Sequence, residues 1–322
     1  MQHYAVTDTE FGNPALRQQG CVLVIGNLDG VHNGHRALLR AAKTLAAEKN
    51  VKLAVMSFAP HPRLFFAPDA PRFLLTDDET KAALLAECGV DCLYSVQFNA
   101  VTAAMSALDF IKTLPVATTG CGHVIVGEDF RFGKNRLGDV EILKKAGGAY
   151  GYDVTAVLLH GDGEAPVSSS RIRDYIRTGD IAAANALLGR SWFYPLILPE
   201  NACATEKNGI CAAEAAPENP DLLPPADGYY TGTLRCKRTG AETAAFVLHN
   251  GTDLVKIYFD ALRLAPSQSP PRPPPQPKGG SILFLPKARR TDAPKEGEII
   301  AALAERCGKE QNETNLNKRE YS

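Results

Sequence analysis

The sequence predicts an α/β protein: a Rossmann-like domain on a parallel sheet, followed by a small β-barrel domain with a C-terminal helix. Three observations lead there. Through the first part of the chain, short apolar runs rich in β-branched residues alternate with helical patterns, as in a parallel sheet covered on both faces. After Leu188-Gly189-Arg190 the texture changes, and β-like runs follow one another without helices between them. A final apolar periodicity closes the chain. The domains are therefore expected at residues 1–192 and 193–322.

The elements follow in order. Val22 to Ile25 is a run of four apolar residues, the mark of a strand buried on both faces, and it breaks at Gly26. His35 to Lys49 carries Leu38, Leu39, Ala42 and Leu45 on one side, a helix. Leu53 to Ser57 is the second strand. Thr76-Asp77-Asp78-Glu79 has the spacing of a capping box, and Gly89 suits a left-handed helix end. Leu93 to Gln97 is the third strand, and Ser106 to Leu114 a helix expected to stop at Pro115. Val124 to Val126, the helix Leu137 to Tyr150, and Val154 to Leu159 complete five strands. Ser168 opens a helix running to Thr178, and Asp180 caps another.

In the second domain, residues 195–227 carry Pro, Ala, Glu and Asn with little periodicity. Strands are expected at Gly228 to Cys236, Ala244 to His249, Leu254 to Phe259 and Ser281 to Leu285. A Pro-rich loop at 265–280 separates the last two and has nothing to bury in a core. Glu296 to Arg306 has helical spacing, and Glu310 to Ser322 is a polar tail.

Composition narrows the function. Apolar residues make up 45% of the chain and charged residues 22%, as in globular domains. A net charge of −1 offers no general attraction for nucleic acid. No apolar stretch approaches the ~18 residues of a membrane span, and the N-terminus lacks the pattern of a signal peptide. The eight cysteines show no Cys-x-x-Cys spacing, so a cytoplasmic, reduced chain without structural zinc is expected. Cys203 and Cys211 would pair only in an oxidising setting.

Chemistry concentrates at four places, each just after a strand, where open parallel sheets bind ligands. His32-Asn33-Gly34-His35 puts two imidazoles three residues apart on one face of a helical first turn. Free N–H groups and the positive dipole end suit phosphate there, and imidazoles can donate to an oxyanion growing on phosphorus. Ser168-Ser169-Ser170-Arg171-Ile172-Arg173 supplies hydroxyls, helix N–H groups and two guanidinium forks; from these residues alone, an ordinary serine cap with a solvated arginine is the favoured reading. Phe58-Ala59-Pro60-His61-Pro62 is a stiff loop with aromatics that either flank a flat ring or cap the core. Gly127 to Asp139 mixes carboxylates, cations and glycines in a loop at the same edge.

Gly26-Asn27-Leu28-Asp29-Gly30-Val31-His32-Asn33-Gly34-His35 resembles the Gly-x-Phe-Asp-Gly-x-His-x-Gly-His signature of the nucleotidyltransferase superfamily, with Leu28 where Phe is usual. Together with Ser57–Pro62, Val126–Gly133 and Val167–Arg173, in that order, it is similar to the adenylyltransferase module of bacterial FAD synthetases. The resemblance covers roughly residues 18–192. It implies adenylyl transfer from ATP to FMN. His32, His35 and Arg173 would be catalytic. Gly26, Asn27, Asp29, Gly34, Ser168, Ser169 and Arg171 would bind ATP. Phe58, Pro60, His61, Asp129 and Phe130 would hold the flavin, while Arg131, Lys134 and Arg136 receive no role. Mg²⁺ would be held mainly by the ATP phosphates. Partners would be these small molecules, not nucleic acid or membrane. A different phosphorylated acceptor, or a flavin-binding regulator without turnover, are the alternative readings.

Such synthetases usually carry a C-terminal riboflavin kinase barrel, and Leu222 to Tyr230 and Ile282 to Arg290 resemble its beginning and end. The kinase's Gly-x-Pro-Thr-Ala-Asn loop is missing, however; Ala202 to Cys211 stands in its interval. Where a catalytic glutamate is expected, Leu254 to Asp260 offers Val255 or Lys256, neither suited to accept a proton at neutral pH. The kinase activity is therefore expected to be lost.

Overall fold

A computed structural model describes residues 1–158, 166–198, 204–205, 210–252, 254–260, 280–290, 298–299 and 301–303. The chain forms two compact units, Met1–Ser169 and Ser170–Ser322.

The first unit holds a six-stranded sheet: β1 (Gln2–Val6), β2 (Val22–Ile25), β3 (Leu53–Ala59), β4 (Cys92–Gln97), β5 (His123–Gly127) and β6 (Asp153–Val157). Every pairing is parallel, in the order β1-β4-β3-β2-β5-β6. Side chains alternate across each strand. On β2, Val22 and Val24 pack with Leu38, Leu39 and Ala42 of α1 (Asn33–Glu48). Leu23 and Ile25 face the other way, into a core with Phe110, Ile111, Leu114, Val140 and Leu143. That two-sided burial is why β2 is apolar throughout. Strand order reverses between β2 and β5, so the crevice at their carboxyl ends is the ligand position of such sheets.

The sequence predicts five of these strands, and β1 is the sixth. It pairs with β4 at the sheet edge (His3↔Leu93) and buries only Val6, so its sequence lacks the apolar run of an inner strand. The short helices α2 (Pro62–Phe66) and α4 (Ala100–Ala104) are likewise absent from the sequence pattern. Helix α3 (Asp78–Glu87) starts one residue later than the expected capping box. Asp77 accepts the Thr80 N–H at 2.6 Å, because the Thr76 hydroxyl is engaged elsewhere. Gly89 has φ +82° after this helix, as expected. Pro115 does not stop the chain: α5 (Ala107–Ile111) runs into a π-helix, Lys112–Thr119, whose wider turns accommodate the ring. The Pro115 carbonyl accepts from the Thr119 hydroxyl and the Cys121 N–H, and Gly120 ends the segment. Helix α6 (Val140–Tyr150) is capped by Asp139.

The second unit begins within α7 (Ser169–Thr178), at Ser170, and continues with α8 (Ile181–Leu188). Helix α7 is tied to the barrel: the Ala226 N–H donates to Ile176 O at 3.3 Å, and Arg289 donates to Thr178 O at 2.9 Å. The barrel strands are β7 (Tyr194–Leu198), β8 (Ala204–Thr205), β9 (Ile210–Pro217), β10 (Gly228–Cys236), β11 (Glu242–His249), β12 (Val255–Asp260) and β13 (Gly280–Arg290). The order β12-β11-β10-β13-β7-β9 closes by antiparallel β12–β9 pairing, and β8 adds to β9. Closure leaves few unpaired backbone groups in a small domain. β7 to β9 lie where the sequence shows no periodicity. The Ala-rich Ile210–Pro217 has weak β preference, and its pairing with both β12 and β7 overrides that preference. Of the expected last helix, residues 298–299 and 301–303 are described and helical. Ile299 and Leu303 pack against Ile210, Phe246 and Tyr258. The Pro-rich loop falls almost wholly, and the polar tail entirely, outside the described residues.

Cys21, Cys88, Cys92, Cys121 and Cys236 are free. Cys211 is disulfide-bonded in this structure, where the sequence suggests a reduced chain. Burial pushes the Cys21 and Cys121 thiols up to about 12. At Cys236, partial burial is outweighed by hydrogen bonds from Thr239 and Arg238, and its pKa is lowered. Since the thiolate is the reacting form, iodoacetamide at pH 8 is expected to label Cys236 in the folded protein. Cys21 and Cys121 should be labelled only in denaturant, as peptide mass mapping would show.

Candidate functional site

The loop from β2 to α1 is the centre of the site. It leaves the sheet at Gly26, whose N–H donates to Met56 O at 3.1 Å, and returns through His32, the N-cap of α1. The Nδ1 of His32 accepts the His35 N–H at 3.3 Å. In the neutral ring this places the proton on Nε2, where it is a donor. The His35 ring stacks on His32, with centroids 3.6 Å apart and planes 19° off parallel. His32 is buried and His35 half-buried. The expected pair is thus joined at the first turn of a 16-residue helix beside the strand reversal, where an anion meets the dipole's positive end.

Gly34 is what this packing requires. A Cβ there would lie 3.1 Å from His32 Cε1, 3.2 Å from its Nδ1 and 3.3 Å from Val167 O. The imidazole therefore rests against bare backbone. Asn27 sits at the strand end; its backbone carbonyl accepts from Ser57 Oγ at 3.3 Å. Its side-chain oxygen is buried and accepts no hydrogen bond among the described residues, an acceptor left for a ligand's donor.

Asp29 points inward. Its carboxylate accepts the N–H groups of Leu75 and Thr76 and the Thr76 hydroxyl, at 3.0 to 3.2 Å. Its backbone carbonyl accepts from Ser169 Oγ at 3.0 Å. The Ser168-Ser169 segment is thereby tied to the loop that carries the histidines. Arg171 and Arg173 lie further along α7, in the second unit, half-buried and buried respectively.

The Phe58–Pro62 loop also departs from the sheet edge. The Phe58 ring is buried, against Phe98 at 6.0 Å and Phe110 at 6.1 Å, so it caps the core. Pro60 follows a cis peptide bond, and His61 caps α2 by accepting the Arg63 N–H at 3.1 Å. The exposed aromatics are Phe65 and Phe66, both edge-on to Phe98. In the loop after β5, Phe130 stacks on Phe132 while Asp129, Arg131, Lys134 and Arg136 are exposed. The structure therefore gathers Gly26, Asn27, Asp29, His32, Gly34, His35 and Ser169. Thr76 reads in the sequence only as a helix cap; the inward turn of Asp29 reveals its other contacts.

The FAD synthetase family profile matches residues 15–171. The chain is 42% identical over 172 residues to the bifunctional riboflavin kinase/FMN adenylyltransferase of Escherichia coli K12, covering 53% of this chain and 55% of that protein. It thus matches about half the length of such relatives. The FAD synthetase of Listeria monocytogenes is 33% identical over 181 residues, covering 56% of this chain and 73% of that protein. A crystal structure titled as a macrolide-efflux protein from Streptococcus pneumoniae superposes with a TM-score of 0.73 at 22% identity, covering 97% of this chain and 98% of that one. At that identity the likeness is one of fold.

Replacing Gly34 with alanine is expected to lower stability by about 1–3 kcal/mol through overpacking and to move the His32 ring resonances in NMR spectra. Unmoved resonances with an unchanged melting temperature would contradict the packing described.

Proposed function

The chain belongs to the FAD synthetase family, and from that premise we propose that it transfers AMP from ATP to FMN, giving FAD and pyrophosphate. A phosphate oxygen of FMN attacks the α-phosphorus of ATP in line. The bond to the bridging oxygen breaks, and pyrophosphate carries away the electron pair. Positioning and charge neutralisation supply most of the catalysis in such transfers, with no covalent enzyme intermediate required.

The observation that carries this reading is the capped, stacked histidine pair at the head of α1. His32 Nε2–H and the His35 ring are assigned to the α-phosphate and the leaving oxygen, with Arg173 the third catalytic group. Gly26, Asn27 and Gly34 give the nucleotide a close approach to backbone. Asp29 serves by holding that loop. Ser168, Ser169 and Arg171 are assigned to the outer phosphates. On the flavin side stand Pro60, His61, Asp129 and Phe130, with Phe58 as support from beneath because its ring is buried.

Among the described residues no group of three or more His, Cys, Asp or Glu side chains is placed to hold a metal ion. Mg²⁺ is proposed to enter as an ion carried mainly by the ATP phosphates, which suits a strongly hydrated cation. No helix among the described residues is long and apolar enough to cross a membrane. We assign the activity to the cytoplasm, where reducing conditions would open the Cys211 disulfide.

The barrel is proposed to lack riboflavin kinase activity. At the strand where the base is expected, Val255 is buried and Lys256 lies 5.0 Å from the Tyr258 ring. Neither offers a carboxylate. The segment Ala202–Cys211 is described only at Ala204, Thr205, Ile210 and Cys211.

Purified protein with ATP and Mg²⁺ is expected to convert FMN to FAD, with CTP unable to replace ATP. FMN binding without pyrophosphate release would favour a regulator, and pyrophosphate formed only with another phosphorylated acceptor would favour a different transferase. His32→Asn keeps a capping oxygen and loses the imidazole; it should lower kcat roughly 10²–10³-fold with little change in melting temperature. Full turnover in that variant would overturn the assignment. With riboflavin in place of FMN, chromatography should show no FMN; its appearance would refute the loss of kinase activity.

A further inference from the structure

The turn that precedes His32 is held in a conformation its residues do not favour. Leu28 has φ 48° and Val31 has φ 41°. A left-handed β-branched valine is an outlier. Between them Gly30 has φ 84°, which glycine accepts freely. Two unfavourable residues so close together persist only where surrounding contacts over-determine them.

Those contacts converge on Thr76. Its hydroxyl accepts the Gly30 N–H at 3.1 Å and donates to Asp29 Oδ1 at 3.2 Å. Its own N–H reaches the same carboxylate at 3.1 Å, beside the Leu75 N–H. Thr76 and Asp29 are 6% and 5% exposed. One hydroxyl thus satisfies a buried amide and a buried carboxylate on adjacent residues. A hydrocarbon in its place would remove a hydrogen bond from the Gly30 N–H and another from the Asp29 carboxylate in a buried setting. Val31 is the single residue between this clasp and His32. The His32 ring in turn rests on Gly34 and His35, so a shifted turn carries both imidazoles with it.

We propose that Thr76 is a positioning residue for adenylyl transfer, its hydroxyl setting the backbone at Asp29 and Gly30 and through it the placement of His32. This rests on the proposed FMN adenylyltransferase reading. Thr76 touches no reacting atom. Its effect belongs in kcat, because misplacing transition-state donors by about 1 Å costs on the order of 10²-fold.

The test compares full-length wild type, Thr76→Val and Thr76→Ser. Thr76→Val, nearly isosteric but without the hydroxyl, is expected to lower kcat by roughly 10- to 100-fold. The KM for ATP should change less than kcat, and Thr76→Ser should restore most of the rate. Assays are run well below the melting temperature of each variant; Thr76→Ala replaces the valine form should that not fold. Equal rates in wild type and Thr76→Val would overturn the proposal, as would a serine variant no better than valine. A second readout stands apart from turnover: the His32 ring resonances, identified by their loss in His32→Asn. They should move in Thr76→Val and return in Thr76→Ser. If the wild type makes no FAD, the functional reading fails alone, and these resonances still decide the role of Thr76.

Discussion

One hydrogen bond organises the N-terminal domain's chemistry: the His35 N–H to Nδ1 of His32. It ends the crossover turn and starts α1, as an N-cap does in any helix. Serine, threonine or aspartate would serve the helix as well or better. Imidazole in that place does something they cannot. Its second nitrogen lies across the ring from the capped one, so satisfying the helix leaves the proton of the neutral ring on Nε2. The same contact brings His35 onto the ring face and demands a residue without a side chain at position 34. Cap, stack and glycine are thus three views of one constraint. The sheet supplies its location by reversing strand order at β2 and β5.

The inner part of this design is legible without coordinates. Strands buried on both faces must be apolar throughout, so Val22 to Ile25 and Leu53 to Ser57 announce themselves, and ligand-facing turns have to follow them. What escapes is governed by partners distant in the chain. β1 is recognised as a strand only by its pairing with β4. Pro115 breaks α-helices, but a wider helix tolerates it. Thr76 and Glu79 have the spacing of a capping box, yet Asp29, 47 residues earlier, has first claim on the threonine hydroxyl. Local rules forecast local partners, and each miss marks a place where tertiary contacts prevail. At the site itself, the histidines, Gly34 and Ser169 can be read from the motifs. The inward turn of Asp29 and the burial of Phe58 depend on three-dimensional neighbours and cannot.

The barrel illustrates the reverse. β10, β11, β12 and β13 carry enough β-branched and aromatic residues to be read directly, whereas β7 and β9 depend on closure. Half of Ile210–Pro217 is alanine, and only its neighbours β12 and β7 make it a strand. A closed wall of six strands tolerates such a weak member because it is hydrogen-bonded along both edges. Such a wall does not depend on any catalytic side chain it carries, which is what the proposal of a barrel without kinase activity requires.

The bond from Ser169 Oγ to the carbonyl of Asp29 spans 140 residues of sequence. During synthesis the histidine turn leaves the ribosome early and then waits. β5, which completes the crevice, and Ser169, which fastens the turn, emerge only after most of the sheet has been made. A nascent chain halted short of that serine would hold a nearly finished sheet around an unfastened histidine turn. The order of the histidine turn is thus secured late, as the last segment of the N-terminal unit arrives.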